Sequence, residues 1–300
     1  MELEPLKIAI IGLDTSHSVA LPRLMQDPEE KDRVQGLRAG TCLRFPTPFQ
    51  SEKGQDERQA YLESIGVKVT RDFDEAVADC DAIMLEINDP APHLEYFEKC
   101  AGLGKPVFLD KPFADTLEKT VRILDIAREK NVRFFTASSL RFDIDVVEGL
   151  QKVNTPKSAM VWGPLGRAPA GSSIVWYGVH AFEILNRVMG RGALTVSGST
   201  DLNGHVFHVI YGDGRRGIVE LSRNCPSYGI CCRDVGNKSS LIQVTGRVHF
   251  YRMLLKEIVR FFTTGEQPVD LADSIEIMAM LSAADASVKN GRPAPVYTLK

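Results

Sequence analysis

No block of lysine or arginine stands out in this 300-residue chain, whose 36 basic residues are scattered among 39 acidic ones for a net charge of -3. Binding to a nucleic-acid backbone needs a concentrated positive surface that releases counterions, so nucleic acid is not an expected partner. Long apolar runs are missing as well. The stretch from Ile8 to Leu13 is far shorter than the roughly 20 residues a bilayer span requires, and Met1-Glu2-Leu3-Glu4 is acidic where a secretory signal is basic. These absences lead to the expectation of a cytoplasmic protein with no membrane partner. Cysteine is sparse. Cys42, Cys80, Cys100, Cys225, Cys231 and Cys232 include no C-x-x-C pair, and a chain of this length can bury enough apolar surface without cross-links. Reduced, mostly buried thiols and no metal site are expected.

What is present is an alternation. Lys7 to Ile11 is a short apolar run closed by Gly12, and Ser18 to Met25 behind it suits a helix, so the chain opens strand, turn, helix. Strand-like runs recur at Val34 to Cys42, Val67 to Thr70, Ala82 to Ile87, Val107 to Leu109 and Arg133 to Ser138. Helical patterns lie between most of them, the clearest from Asp115 to Lys130, where Asp115 and Glu118 form a capping signal and Leu117, Val121 and Leu124 share a face. Parallel strands need crossovers and these are usually helices, so the pattern predicts a Rossmann domain over residues 1–142.

Beyond Pro156 the rhythm changes. Leu194 to Ser199, Val206 to Tyr211, Gly217 to Ser222 and Leu241 to Val244 read as strands, with a hairpin signal at Gly212-Asp213-Gly214 and helices at Val179 to Met189, Tyr251 to Phe262 and Leu271 to Lys289. The expected fold class is α/β throughout, with a second α/β domain over residues 143–300 built on a mainly antiparallel open sheet.

A dinucleotide fingerprint uses glycines so that the backbone can approach a pyrophosphate at a helix N-terminus. Here the turn reads Gly12-Leu13-Asp14-Thr15-Ser16-His17, keeping the first glycine and lacking the other two. Asp14 would place negative charge near a phosphate, while Thr15, Ser16 and His17 can donate hydrogen bonds. The alternative is that Asp14 or Ser16 simply caps the helix. A carboxylate for the ribose is also missing after the second strand, where Arg38 and Arg44 stand instead and tilt the reading slightly toward NADP.

The stretch Asn88-Asp89-Pro90-Ala91-Pro92-His93, then Gly104-Lys105-Pro106-Val107-Phe108-Leu109-Asp110-Lys111-Pro112, then Ser139-Leu140-Arg141-Phe142 resembles the Gfo/Idh/MocA oxidoreductases. In that family a Pro-Asn-x-x-His loop, a Glu-Lys-Pro turn and an Arg-Phe pair occupy these places, so Asp110 replaces the usual Glu. The resemblance implies NAD or NADP as cofactor, held by the Gly12 to His17 turn and by Asn88, His93, Asp110, Lys111 and Arg141, with Lys111 beside nicotinamide and substrate. A lysine shielded from water at a strand's carboxyl edge can serve in acid/base work, although an ordinary surface lysine is the alternative. The family's second motif, Asp-x-Gly-x-His-x-x-Asp, meets Trp176-Tyr177-Gly178-Val179-His180-Ala181-Phe182-Glu183. Gly178 and His180 match, Glu183 replaces the last Asp and Trp176 the first. Glu183 could orient His180 from one helical turn away, and Tyr177 is a third acid/base candidate. A purely structural His180 is the other reading.

The resemblance therefore implies a dehydrogenase acting on a carbinol of a sugar-like or cyclitol-like small molecule, in a homo-oligomer. Two rivals stay open: a member that uses bound NAD transiently to assist glycoside hydrolysis or elimination, and a cofactor-free binding or scaffold protein of the same fold.

Overall fold

The computed structural model describes residues 4–298 and divides into two compact units. The first carries β1 (Leu6–Ile11), β2 (Leu37–Leu43), β3 (Lys68–Thr70), β4 (Ala82–Leu85), β5 (Val107–Leu109) and β6 (Phe134–Thr136). Between them run α1 (His17–Gln26), α2 (Glu52–Ser64), α3 (Phe73–Val77), α4 (His93–Ala101) and α5 (Leu117–Lys130). All pairings are parallel and the order is β3-β2-β1-β4-β5-β6, the doubly wound order whose reversal lies beside β1. Ile8 to Ile11, Ala82 to Leu85 and Val107 to Leu109 are all fully buried, as expected of strands covered on both faces.

Register fixes what the carboxyl edge presents. Ile11 pairs with Leu43 and Leu85, and Leu85 pairs with Leu109. The next residue of each strand, Gly12, Arg44, Glu86 and Asp110, therefore stands on one edge, where ligands bind in open α/β sheets.

The second unit holds α6 (Ile144–Leu150), β7 (Pro156–Pro164), α7 (Ser173–Trp176), α8 (Val179–Met189), β8 (Ala193–Thr200), β9 (Gly204–Tyr211), β10 (Arg216–Ser222), β11 (Gly229–Asp234) and β12 (Ser239–Gln243). Its sheet runs β12-β11-β7-β10-β9-β8-β13, with the short β13 at Ala294–Pro295, and only the β7–β10 pairing is parallel. One face is covered by α8 and by α10 (Leu271–Asn290), with Phe182 of α8 set 5.7 Å from Phe207 of β9.

Sequence position alone puts the helix α9 (Phe250–Thr264) with this second half, but residues Tyr251–Val269 belong to the first unit. Phe261 packs edge-on against Phe135 of β6 at 5.0 Å, and the Gln267 side chain donates to the Phe134 carbonyl. An apolar helix face with Leu254, Leu255, Ile258 and Phe261 buried is the cause. Among the described residues no helix is long and apolar enough to cross a membrane, and all six cysteines are free thiols.

Candidate active site

Gly12 leaves β1 at φ +110°, and a Cβ there would meet the Glu86 carbonyl oxygen at 2.3 Å. Glycine is thus required for the chain to pass over β4 into α1. Where a second glycine is usual, Asp14 turns its carboxylate inward. It accepts from the Asn88 N–H at 2.8 Å, the Asp89 N–H at 3.3 Å and the Thr47 hydroxyl at 3.0 Å, so it clamps the loops after β1, β2 and β4 together. Burial pushes its carboxyl up, opposed by those same hydrogen bonds. Thr15 accepts the His17 N–H, whereas Ser16 makes no side-chain cap and its hydroxyl lies 3.3 Å from that of Tyr251.

His17, the first residue of α1, points down to the sheet edge. Its Nδ1 donates to Asp110 at 3.0 Å and lies 3.7 Å from Glu86 Oε2, while its ring stands edge-on to Tyr251 at 4.6 Å. The Lys111 ammonium is 3.6 Å from Asp110 Oδ2. None of His17, Glu86, Asp110 and Lys111 is more than 6% exposed. Burial, and then the neighbouring Asp110, holds the Glu86 carboxyl well above its ordinary value, opposed by Lys111. Burial acts on Asp110 in the same direction, but the His17 ring and the Lys111 ammonium outweigh it and keep that carboxyl low. The two acids are thus pushed in opposite directions, as carboxylates sharing a dry site are. A cis peptide joins Lys111 to Pro112. Nearby, the fully buried His93 ring links the carbonyls of Ile87 and Phe113, tying the loop after β4 to the segment after Lys111.

The second unit has its own polar cluster at the start of α8. Ser138 Oγ and His180 Nδ1 form a 2.7 Å hydrogen bond. Glu183 accepts the Ser138 N–H at 3.0 Å on one oxygen and Arg141 at 3.3 Å on the other, and Arg141 also donates to Asn186 and Asp273. Around the imidazole stand Tyr177 at 5.2 Å and Tyr228 at 5.9 Å, with Trp176 5.1 Å from Tyr177. Burial raises the Glu183 carboxyl against the pull of Arg141.

Residues 6–138 match the profile of the Gfo/Idh/MocA oxidoreductase family with an NAD-binding Rossmann fold. The match spans most of the first unit and just under half of the chain. An uncharacterised oxidoreductase of Schizosaccharomyces pombe is 32% identical over 80 residues, a match spanning 26% of this chain and only 22% of that relative. Solved structures share the fold along nearly the whole chain at low identity. GenD2 from gentamicin A biosynthesis, in complex with NAD, superposes with a TM-score of 0.80 at 16% identity, covering 99% of this chain and 98% of its own. A myo-inositol dehydrogenase from Corynebacterium glutamicum gives 0.77 at 13%, with 98% and 100% covered. An Agrobacterium radiobacter oxidoreductase in complex with NAD+, L-tartaric acid and magnesium gives 0.77 at 15%, with 97% and 98% covered.

In this chain, Gly12, Asp14, Thr15, Ser16, His17, Asn88, His93, Asp110 and Lys111 all gather at or beside the carboxyl edge of the six-stranded sheet. Arg141 is not among them. It lies in the second unit, where its guanidinium is committed to Glu183, Asn186 and Asp273. Arg44, read as a partner for a 2'-phosphate, is held by Glu52, Asp56 and Gln59 of α2. Glu183 was expected to orient His180, but the hydrogen bond on Nδ1 comes from Ser138, which Glu183 fixes through its backbone N–H. Glu86, Ser138, Tyr228 and Tyr251 are additions. Only Glu86 had a local signal, a carboxylate inside the apolar run Ile83-Met84-Leu85-Glu86-Ile87. The others are brought in by tertiary structure.

Proposed function

We propose that the chain is a dehydrogenase that uses a nicotinamide dinucleotide to interconvert a carbinol and a carbonyl on a sugar-like or cyclitol-like small molecule. The observation that carries this is a glycine-dependent cradle at the N-terminus of α1, beside a buried Asp110-Lys111 pair on the same sheet edge. The cradle fits a dinucleotide: Gly12 gives close backbone approach, Asp14 turns its charge away into the loops, and the uncapped start of α1 favours a phosphate. The cofactor, when bound, supplies the hydride exchange.

Lys111 exchanges the substrate's hydroxyl proton at Nζ, with Asp110 setting its charge environment and Pro112 fixing the turn that aims it. His180 is a second proton-handling candidate, anchored by Ser138 and walled by Tyr177. Arg44 is occupied by the carboxylates of α2, which removes one of the two arginines that tilted the reading toward NADP and favours NAD. The cyclitol class draws support from the fold shared with the C. glutamicum myo-inositol dehydrogenase. The outward residues Ile210 and Leu241, 43% and 75% exposed, support a homo-oligomer formed through the open face of the second sheet.

Calorimetry with NAD and NADP tests the cofactor, and NADH absorbance with a panel of cyclitols and aldoses tests the reaction. Lys111→Ala should leave cofactor affinity and folding intact and lower turnover by about 100-fold or more. Binding of neither dinucleotide would return the chain to the scaffold reading. NAD retained through purification with no net NADH would favour transient oxidation in hydrolysis or elimination.

A further inference from the structure

We propose that His17, Glu86 and Asp110 bind a first-row divalent cation, of which zinc is the probe. The three ligands come from the first residue of α1 and from the residues directly after β4 and β5, so sheet register sets their spacing. One donor atom from each, the imidazole Nδ1 and a carboxylate oxygen of both acids, lies within 4.8 Å of the other two. Nδ1 is 3.0 Å from Asp110 Oδ2 and 3.7 Å from Glu86 Oε2. An ion bonded at about 2.0–2.2 Å to nitrogen and oxygen spans such separations at angles of about 90° to 120°.

A separate observation points to something bound. Both carboxylate oxygens of Glu86 and the Oδ2 of Asp110 are buried without a hydrogen-bond partner, at 1% and 0% exposure for the two residues. A buried acceptor left unmet is costly, and three of them face one imidazole. An ion entering here takes the place of the Nδ1 proton and of any proton on the Glu86 carboxyl, both leaving to solvent, and is met by the imidazole nitrogen and two carboxylates. The Lys111 ammonium stays beside Asp110 as an outer charge. One imidazole with two carboxylates suits zinc, manganese or ferrous iron better than calcium, which prefers six or more oxygens. Three protein ligands leave a position for water.

The site lies within the first unit and does not depend on the nicotinamide reading. The test uses the full chain, stripped with EDTA and titrated with zinc and with manganese, with and without NAD. One equivalent per chain is expected, with a rise in Tm on loading. Glu86→Gln, which keeps the shape, should weaken zinc binding by at least about 100-fold, more than loss of a supporting contact brings. His17→Gln should do the same, and circular dichroism checks that each variant is folded. Zinc uptake unchanged in folded Glu86→Gln would belong to a thiol such as the exposed Cys231 and would overturn the proposal. So would no uptake by the wild type at millimolar metal, which would leave a proton-held cluster. Metal uptake without NAD binding would sustain this site while sinking the dehydrogenase reading; the reverse result would separate them the other way.

Discussion

Set side by side, the polar clusters around His17 and around His180 use the same kinds of side chain and balance them differently. Around His180, each Glu183 oxygen has a donor, one from the Ser138 backbone and one from Arg141, and the imidazole is anchored by a hydroxyl. Around His17, three carboxylate oxygens are buried without a hydrogen-bond donor. A satisfied network rigidifies the elements it joins, here the turn after β6 with α8 and α10. A short-handed one conflicts with stability, and such conflicts are expected where a protein acts. The comparison gives the second unit's cluster the fuller set of donors and leaves the first's with unmet acceptors.

The largest effect should come from breaking the satisfied cluster. Arg141→Met would strand Glu183 and Asp273 around a lost guanidinium and is expected to cost about 3–5 kcal/mol in urea denaturation. A cost under about 1 kcal/mol would mean the network is not what holds α8. Glu183→Gln should cost less, about 1–3 kcal/mol for the lost charged hydrogen bond, and should also change the pH dependence. Because burial holds the folded Glu183 carboxyl above the ordinary value, its ionisation works against folding, so stability is greatest at lower pH and falls as pH rises through the folded value. Wild-type stability should step down across this acidic window, and the Gln variant should lack the step. Parallel pH profiles would show that Glu183 ionises alike in both states.

The smallest effect sharpens the contrast: metal-free Glu86→Gln at neutral pH should change stability by less than about 1 kcal/mol, since neither Glu86 oxygen has a hydrogen-bond partner to lose. A loss as large as that of Arg141→Met would erase the distinction between the clusters.

Much of the fold was legible because β1, β4 and β5 carry buried apolar runs ended by Gly12, Glu86 and Asp110. Val107–Leu109 appears with the expected bounds, whereas β2 begins at Leu37 rather than Val34 because Gly36, at φ +109°, turns the chain first. In the second unit β7 and β11 escaped notice. Pro156, Gly163 and Pro164 disguise β7, and Gly229-Ile230-Cys231-Cys232-Arg233-Asp234 has little strand preference of its own. Both are held by pairing with each other and with β10 and β12, information that is not local. At the site, Lys111 and Asp110 were readable from their turn. The inward aim of Asp14 was not, because three partners in distant loops decide it.

The placement of α9 has a consequence for how the chain is made. The sheet of the first unit is spelled out by residue 136, yet Phe261, which covers Phe135, arrives only after every strand from β7 to β12 has been synthesised. At the usual 5–20 residues per second, that is a wait of roughly 6–25 s. For that interval the nascent first sheet carries an uncovered aromatic edge. The unit that begins the sequence therefore cannot be completed until most of the second unit has been made.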